Sequence, residues 1–188
     1  MDIKLFVNIT SRAWALPILA NLHAGIAGRQ ATLLTATGAS RTAFSKSMDH
    51  LIEIGLLERN PGHGHPLRPE FRLTPLGKGA AEMAHNIHSV TRGEDQTLLR
   101  RTWTVPILTS LYRPRHFNEI RGTLPAITDR ALSQSLISLE DRNWVRRSVI
   151  ETARPPRPIY SAVNAGEMIS RITGPEISLL TYSRRLRA

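Results

Sequence analysis

Apolar residues recur at helical spacing early in the chain, beginning at a tryptophan. Trp14, Ile18 and Leu22 follow one another at intervals of four residues, which places them on one face of a helix. Ser11, shortly before this run, is a candidate N-cap. Glycine and charged residues then interrupt the pattern, and a short helical segment follows from residue 30 to about residue 36. The spacing therefore predicts two helices in succession.

A third helix and two strands are predicted to follow these two helices. The helix begins after Ser40, another N-cap candidate. Its buried face consists of three apolar residues: Phe44, Met48 and Leu51. Strand-forming residues occupy positions 56–60 and 71–74, on either side of the Pro/Gly-rich segment 61–66. Three helices with a turn before the third, followed by a hairpin with a basic tip, form the pattern of a winged helix-turn-helix.

The same succession recurs in the second half of the chain. Trp14-Ala-Leu-Pro-Ile-Leu-Ala-Asn-Leu22 reappears as Trp103-Thr-Val-Pro-Ile-Leu-Thr-Ser-Leu111, with five of nine positions identical. Two further blocks match in the same order: residues 43–51 with 131–139, and residues 68–77 with 157–166. Collinear blocks of this kind indicate a duplicated module of about 90 residues. We expect module 1 over residues 1–92 and module 2 over residues 93–188.

The second copy repeats the elements of the first. A short helix is predicted from residue 117 to about residue 124, and Thr128 is the N-cap candidate of the helix that follows. The buried face of that helix consists of Leu132, Leu136 and Leu139. The other predicted elements are strands at residues 144–150 and 159–163, and helices at residues 77–92 and 174–187. The expected fold class is mainly α with small β-hairpin wings (α+β), a tandem winged helix-turn-helix.

Charge and composition narrow the class of partner. The 188 residues include 25 Lys and Arg against 15 Asp and Glu, a formal net charge of +10. This excess favours a polyanion, and with this fold the expected partner is double-stranded DNA. The chain has no cysteine, which excludes disulfides and thiol redox chemistry. No apolar run is long enough for a membrane span or a signal peptide, so we expect a cytoplasmic, nucleoid-associated protein and no membrane partner.

The candidate DNA contacts lie on the third helix of each module and on the wings. A helix-turn-helix reads the major groove with the exposed first turns of its second helix, here the third helix of the module. The outward residues of that helix are Arg41, Thr42, Ser45, Lys46 and Asp49 in the first copy, and Asp129, Arg130, Ser133, Gln134 and Ile137 in the second. The wing residues are Arg59, His63, His65 and Arg68, and Arg147, Arg154 and Arg157. Arg and Lys suit guanine, Gln suits adenine, and an outward Asp either accepts from cytosine or caps its helix.

The second copy resembles the HxlR family of bacterial winged-helix transcriptional regulators. The resemblance rests on the tryptophan-led helix from residue 103 to 108, on Phe117-Asn-Glu-Ile-Arg121 and on Leu132-Ser-Gln134. The first copy, through residues 37–46 and 51–59, is more similar to the related MarR pattern. The resemblance implies a sequence-specific DNA-binding transcriptional regulator, a repressor, that uses two recognition helices and basic wings.

Two departures from the HxlR pattern affect how such a protein works. Members of that family are usually single modules that dimerise, whereas two modules share this chain. Many members carry an N-terminal cysteine for sensing, which this chain lacks. A thiol trigger is therefore excluded, while a small-molecule effector stays open but has no support in the sequence. A monomer that acts as a pseudo-dimer and a homodimer both remain open.

Other functions fit the sequence less well. No phosphate loop, catalytic triad order or paired carboxylate motif occurs, so we expect neither an enzyme nor a cofactor. His63-Gly-His65 lacks carboxylate or cysteine partners, so we expect no metal site. Two alternatives stay open: a tandem winged-helix scaffold in a chromosome-organising complex, and a replication initiator. Scaffolds of that kind tend to be acidic, and the basic balance here argues against one.

Overall fold

The computed structural model describes residues 3–60, 70–124, 126–150 and 156–185, with the side chains of residue 150 and residues 175–185 left aside. The chain divides into two compact units. We call residues 8–92 the N-terminal unit, and residues 93–188 together with residues 1–7 the C-terminal unit. The expected module 1 began at residue 1, so the two descriptions differ over the first seven residues. The described part is mainly helical with small antiparallel hairpins, which confirms the expected α+β fold class.

The N-terminal unit follows the predicted order of elements. Its helices and strands are α2 (Ala15–His23), α3 (Gln30–Thr37), α4 (Arg41–Glu53), β1 (Leu57–Asn60), β2 (Glu70–Leu73) and α5 (Pro75–Ser89), and a further helix, α1 (Ile3–Thr10), spans the division between the units. Strands β1 and β2 pair antiparallel, with Leu57 opposite Leu73. An isolated bridge between Arg29 and Glu70 ties the start of α3 to the hairpin.

The core of the N-terminal unit forms where the helices converge. Helix α2 packs mainly against α5, whose inward face carries the small residues Ala80, Ala81 and Ala84 beside the larger Met83 and Ile87. Small side chains allow the two backbones to approach closely. Phe44 and Leu51 of α4 and Leu33 of α3 are fully buried beside them. The apolar spacing along α4 therefore identified the face that the structure buries.

The C-terminal unit has a similar order of elements, with one further strand. They are α6 (Asp95–Leu99), α7 (Thr104–Ser110), β3 (Arg115–His116), α8 (Phe117–Thr123), α9 (Asp129–Asp141), β4 (Val145–Ile150), β5 (Arg157–Ala162) and α10 (Asn164–Arg185). The three strands form one antiparallel sheet in the order β3-β5-β4, with Tyr160 of β5 opposite both Arg115 and Arg147. The buried leucines of α9 are those predicted, and Trp144 is also buried.

Two predicted helix starts were wrong. Ser11 does not cap α2, which begins at Ala15 with Trp14 in the N-cap position. The Ser11 hydroxyl instead donates to the carbonyl of Asn8, at 2.7 Å, because the chain at Ser11 is still leaving α1. The last helix begins at Asn164 rather than at residue 174.

Helix α10 is held to the core of its unit partly by buried hydroxyl groups. Thr109 of α7 donates to the hydroxyl oxygen of Thr173 at 2.8 Å, and Thr173 donates to the carbonyl of Ile169. Both threonines are buried, and each hydroxyl therefore has a partner inside the unit. This bond ties α10 to α7 at a fixed register along the two helices.

Candidate nucleic-acid interface

The first candidate reading surface lies on α4. Ser40 caps the helix as predicted: its hydroxyl oxygen accepts from the backbone N–H of Ala43 at 3.4 Å. Phe44, Met48 and Leu51 bury one side of the helix. The predicted contact residues Arg41, Thr42, Ser45 and Lys46 are all exposed, and so is Asp49. Cap and core together therefore present one polar, basic face at the N-terminal half of α4, the arrangement that a major-groove helix requires.

The second candidate reading surface lies on α9 and is built in the same way. The Thr128 hydroxyl oxygen accepts from the backbone N–H of Ala131 at 3.2 Å, as predicted for an N-cap. The buried face is formed by Leu132, Leu136 and Leu139. The exposed residues are Asp129, Arg130, Ser133, Gln134 and Ile137. An arginine and a glutamine one turn apart provide donors suited to guanine and adenine edges.

Asp129 has a partner that the sequence did not reveal. Its carboxylate lies 2.5 Å from the Nε of Arg121, in the last turn of α8. Both side chains are more than half exposed, so this ion pair contributes little to stability. Its effect on the site is electrostatic, since Arg121 places a positive charge beside the one acidic residue at the start of α9. Asp129 therefore repels a nearby phosphate less than an unpaired carboxylate would.

The wing residues are only partly within the described ranges. Arg59 of β1, Arg147 of β4 and Arg157 of β5 are exposed on their strands, as predicted. The other predicted wing contacts, His63, His65, Arg68 and Arg154, lie outside the described residues. Arg146, which was not predicted as a contact, is also exposed, and it points to the opposite face of β4 from its neighbour Arg147.

Arg115 is a second basic residue that the sequence analysis missed. It lies in β3, just before the helix-turn-helix of the C-terminal unit, and its Nε is buried without a hydrogen-bond partner among the described residues. Burial and, to a lesser degree, the positive charge of Arg113 lower the pKa of Arg115, while Glu119 opposes them. A two-residue strand has no periodicity to recognise, so the sequence offered no signal for it.

The described residues offer little evidence for other kinds of site. They contain no group of three or more His, Asp or Glu side chains placed to hold a metal ion. Within the same ranges no helix has both the length and the apolar character needed to cross a membrane. His85 lies against His23 of its own unit, with 5.0 Å between ring centroids.

Comparison with known proteins gives one family match. Residues 98–180 match the model of the HxlR-like helix-turn-helix family. The matched segment runs from the end of α6 into α10 and contains α9 and the three-stranded sheet. One similar solved structure is the reduced form of the transcriptional regulator YodB from B. subtilis, at 26% sequence identity and a TM-score of 0.39, over 44% of this chain and 84% of that one. No curated protein sequence matches at a significant level.

Proposed function

We propose that this protein is a sequence-specific transcriptional regulator that binds double-stranded DNA. The observation that carries the proposal is the exposed face of α9, where a capped N-terminus presents Arg130 and Gln134 within the segment that matches the HxlR-like family. Such a helix fits the major groove and pairs its donors with base edges. The formal net charge of +10 adds a sequence-independent attraction to phosphate.

Module 1 (residues 1–92) and module 2 (residues 93–188) both read DNA in this proposal. Helix α4 carries Arg41 and Lys46 on an exposed face that corresponds to that of α9. Because the two faces differ in sequence, one chain would read two unlike half-sites, with the wings adding contacts to the backbone or minor groove. A protein bound in this way excludes other proteins from its site, so we propose that it acts as a repressor, on the nucleoid in the cytoplasm.

Selection of bound sequences from random duplex DNA, at two salt concentrations, tests the proposal. We expect an enriched motif with two unlike half-sites. Without an enriched motif, and with binding that collapses as salt rises, the attraction would be to phosphate alone. The scaffold interpretation would then replace the regulator.

Two sets of variants assign the reading helices. Arg41→Ala combined with Lys46→Ala should abolish binding to the first half-site, because it removes both cationic donors of α4. Arg130→Ala should weaken recognition of one base pair in the second half-site by about 1–3 kcal/mol, the range for a bidentate contact with guanine. An equal loss on every sequence would identify Arg130 as a phosphate contact instead.

Arg142→Ala is the matched control for Arg130→Ala. Arg142 is an exposed arginine at the other end of α9, where it pairs with Glu94 at 3.1 Å and Asp95 at 3.6 Å. Arg142→Ala removes one positive charge at the end of the same helix and leaves the charge of the reading face unchanged. We expect its effect to be small and independent of base sequence, as is typical of an exposed ion pair far from the groove.

A further inference from the structure

Ile137 is a large apolar side chain exposed in the middle of the reading face of α9. It is 56% exposed. At about 100° per residue along a helix, it projects between Arg130 and Ser133 and away from the buried leucine face. The other exposed large apolar residues among those described are Leu76, Tyr112, Val149 and Met168. Ile137 alone of this group lies on a helix that carries predicted base contacts.

The surroundings of Ile137 define what it can bind. Its helix neighbours on the exposed face are polar: Arg130, Ser133 and Gln134. A single apolar group within a polar strip does not form the continuous apolar patch typical of a protein partner. In the major groove, the one apolar group among the base edges is the C5-methyl group of thymine. The chemistry of Ile137 therefore matches one base, while its neighbours supply hydrogen bonds to others.

The corresponding position in the N-terminal unit carries a carboxylate. Phe44, Met48 and Leu51 of α4 align with the three buried leucines of α9, and in that register Asp49 corresponds to Ile137. Asp49 is exposed like Ile137. A carboxylate suits the amino group of cytosine and gains nothing from a methyl group. The two helices therefore differ in base preference at this one place.

We propose that Ile137 contacts the C5-methyl group of a thymine in the half-site read by α9, and so determines the preference for that base. This inference rests on the proposed function, since it requires α9 to lie in the major groove. It goes further in naming the residue, the base and the atom group that form the contact. Asp49 excludes the same preference from the half-site read by α4.

Replacement of thymine by deoxyuridine tests the contact, because the two bases differ only in the methyl group. The probe is the duplex enriched by selection, with each thymine of the second half-site replaced in turn. One replacement should weaken binding of the unchanged protein by about three- to fivefold, the effect of losing one buried methyl group. Ile137→Ala should bind thymine and deoxyuridine duplexes equally, and Ile137→Val should retain part of the difference.

Met168→Ala is the matched control. Met168 is an exposed apolar residue of the same unit, 45% exposed, on α10 rather than on α9. This variant should keep the full discrimination between thymine and deoxyuridine. Because Ile137 is exposed and alanine favours a helix, the Ile137→Ala variant should fold, which a thermal melt followed by circular dichroism checks.

The outcomes separate this inference from the proposed function. If no replacement of thymine by deoxyuridine weakens binding, the contact does not exist. The same follows if that replacement lowers the affinity of Ile137→Ala as much as it lowers the affinity of the unchanged protein. Should Arg130→Ala still weaken binding to the enriched motif in that case, α9 reads DNA without Ile137 and only this inference fails. If selection enriches no motif at all, both the regulator and the thymine contact are rejected.

Discussion

His88 shows how the environment of one residue links protonation to stability. It lies on α5 of the N-terminal unit, and its Nε2 is buried without a hydrogen-bond partner among the described residues. Burial is the larger cause that lowers its pKa below the ordinary value of 6.5, and the positive charge of His85 is the smaller. Both causes disfavour the imidazolium form, so His88 is neutral in the folded protein near neutral pH.

Stability should therefore fall as the solution is acidified below the ordinary histidine pKa of 6.5. In that range His88 binds a proton in the unfolded chain but stays neutral in the folded chain. Proton binding therefore stabilises the unfolded state relative to the folded state. Urea unfolding at about pH 7.5 and about pH 5.5 should give the lower free energy of unfolding at the acidic pH. His88→Leu should reduce this difference, and His85→Gln should reduce it less. An unchanged difference in His88→Leu would assign the pH dependence to other groups.

Single residues also mark the limit of sequence-based prediction. Ser40 and Thr128 were predicted as N-caps and are confirmed, because capping is a local interaction within three residues. The prediction that Ser11 caps α2 was wrong, because the end of the preceding helix determines the hydrogen bond of Ser11. The pairing of Asp129 with Arg121 could not be predicted, because the turn between α8 and α9 sets that distance.

At the scale of elements, the last helix of each unit begins with the same close contact. A Cβ atom at Gly77 of α5 would overlap the backbone carbonyl oxygen of Leu56. A Cβ atom at Gly166 of α10 would likewise overlap that of Trp144. In each unit the residue just before the first long hairpin strand, Leu56 before β1 or Trp144 before β4, thus approaches the helix backbone too closely for any side chain.

Alanine should destabilise the protein at either glycine. The new methyl group at Gly77 or Gly166 meets backbone that cannot rotate away, so helix and strand must separate. We expect a loss of about 1–3 kcal/mol in chemical unfolding of each variant. Gly79→Ala in α5 is the control, since a Cβ atom there meets nothing within 4 Å. It should stabilise by about 0.5–1 kcal/mol. Equal changes in the free energy of unfolding for Gly77→Ala and Gly79→Ala would show that helix propensity, and not the close contact, determines the effect of alanine.

The elements themselves were predictable to different degrees. Helices α3, α4, α8 and α9 were predicted within a few residues. Helices α4 and α9 each have an N-cap hydroxyl and an apolar face that their own sequence encodes, and α3 ends at Gly38 in the left-handed conformation. Helix α1 and strand β3 were missed. The start of α10 was misplaced, although the match between Gly77 and Gly166 held the information needed to place it.

At the scale of the whole molecule, the repeat in the sequence is the basis for proposing two reading modules. Each unit has a candidate reading helix, α4 or α9, and each of these helices exposes its own set of polar residues. Two linked modules bind more tightly than one when both reach their half-sites at once. The distance and rotation between the half-sites then matter as much as their sequences. The sequence could not predict that spacing, because no local pattern encodes it.

The spacing between half-sites gives a test of this proposal on the chain with both modules present. Insertion of about five base pairs turns one half-site to the opposite face of the duplex, since a turn is about 10–10.5 base pairs. If both modules read at once, the insertion should lower affinity by about tenfold or more, as the second contact is lost. The Arg41→Ala, Lys46→Ala double variant uses only α9 and should bind both duplexes equally. If the unchanged protein also binds the two duplexes equally in a titration by fluorescence anisotropy, only one module reads DNA at a time.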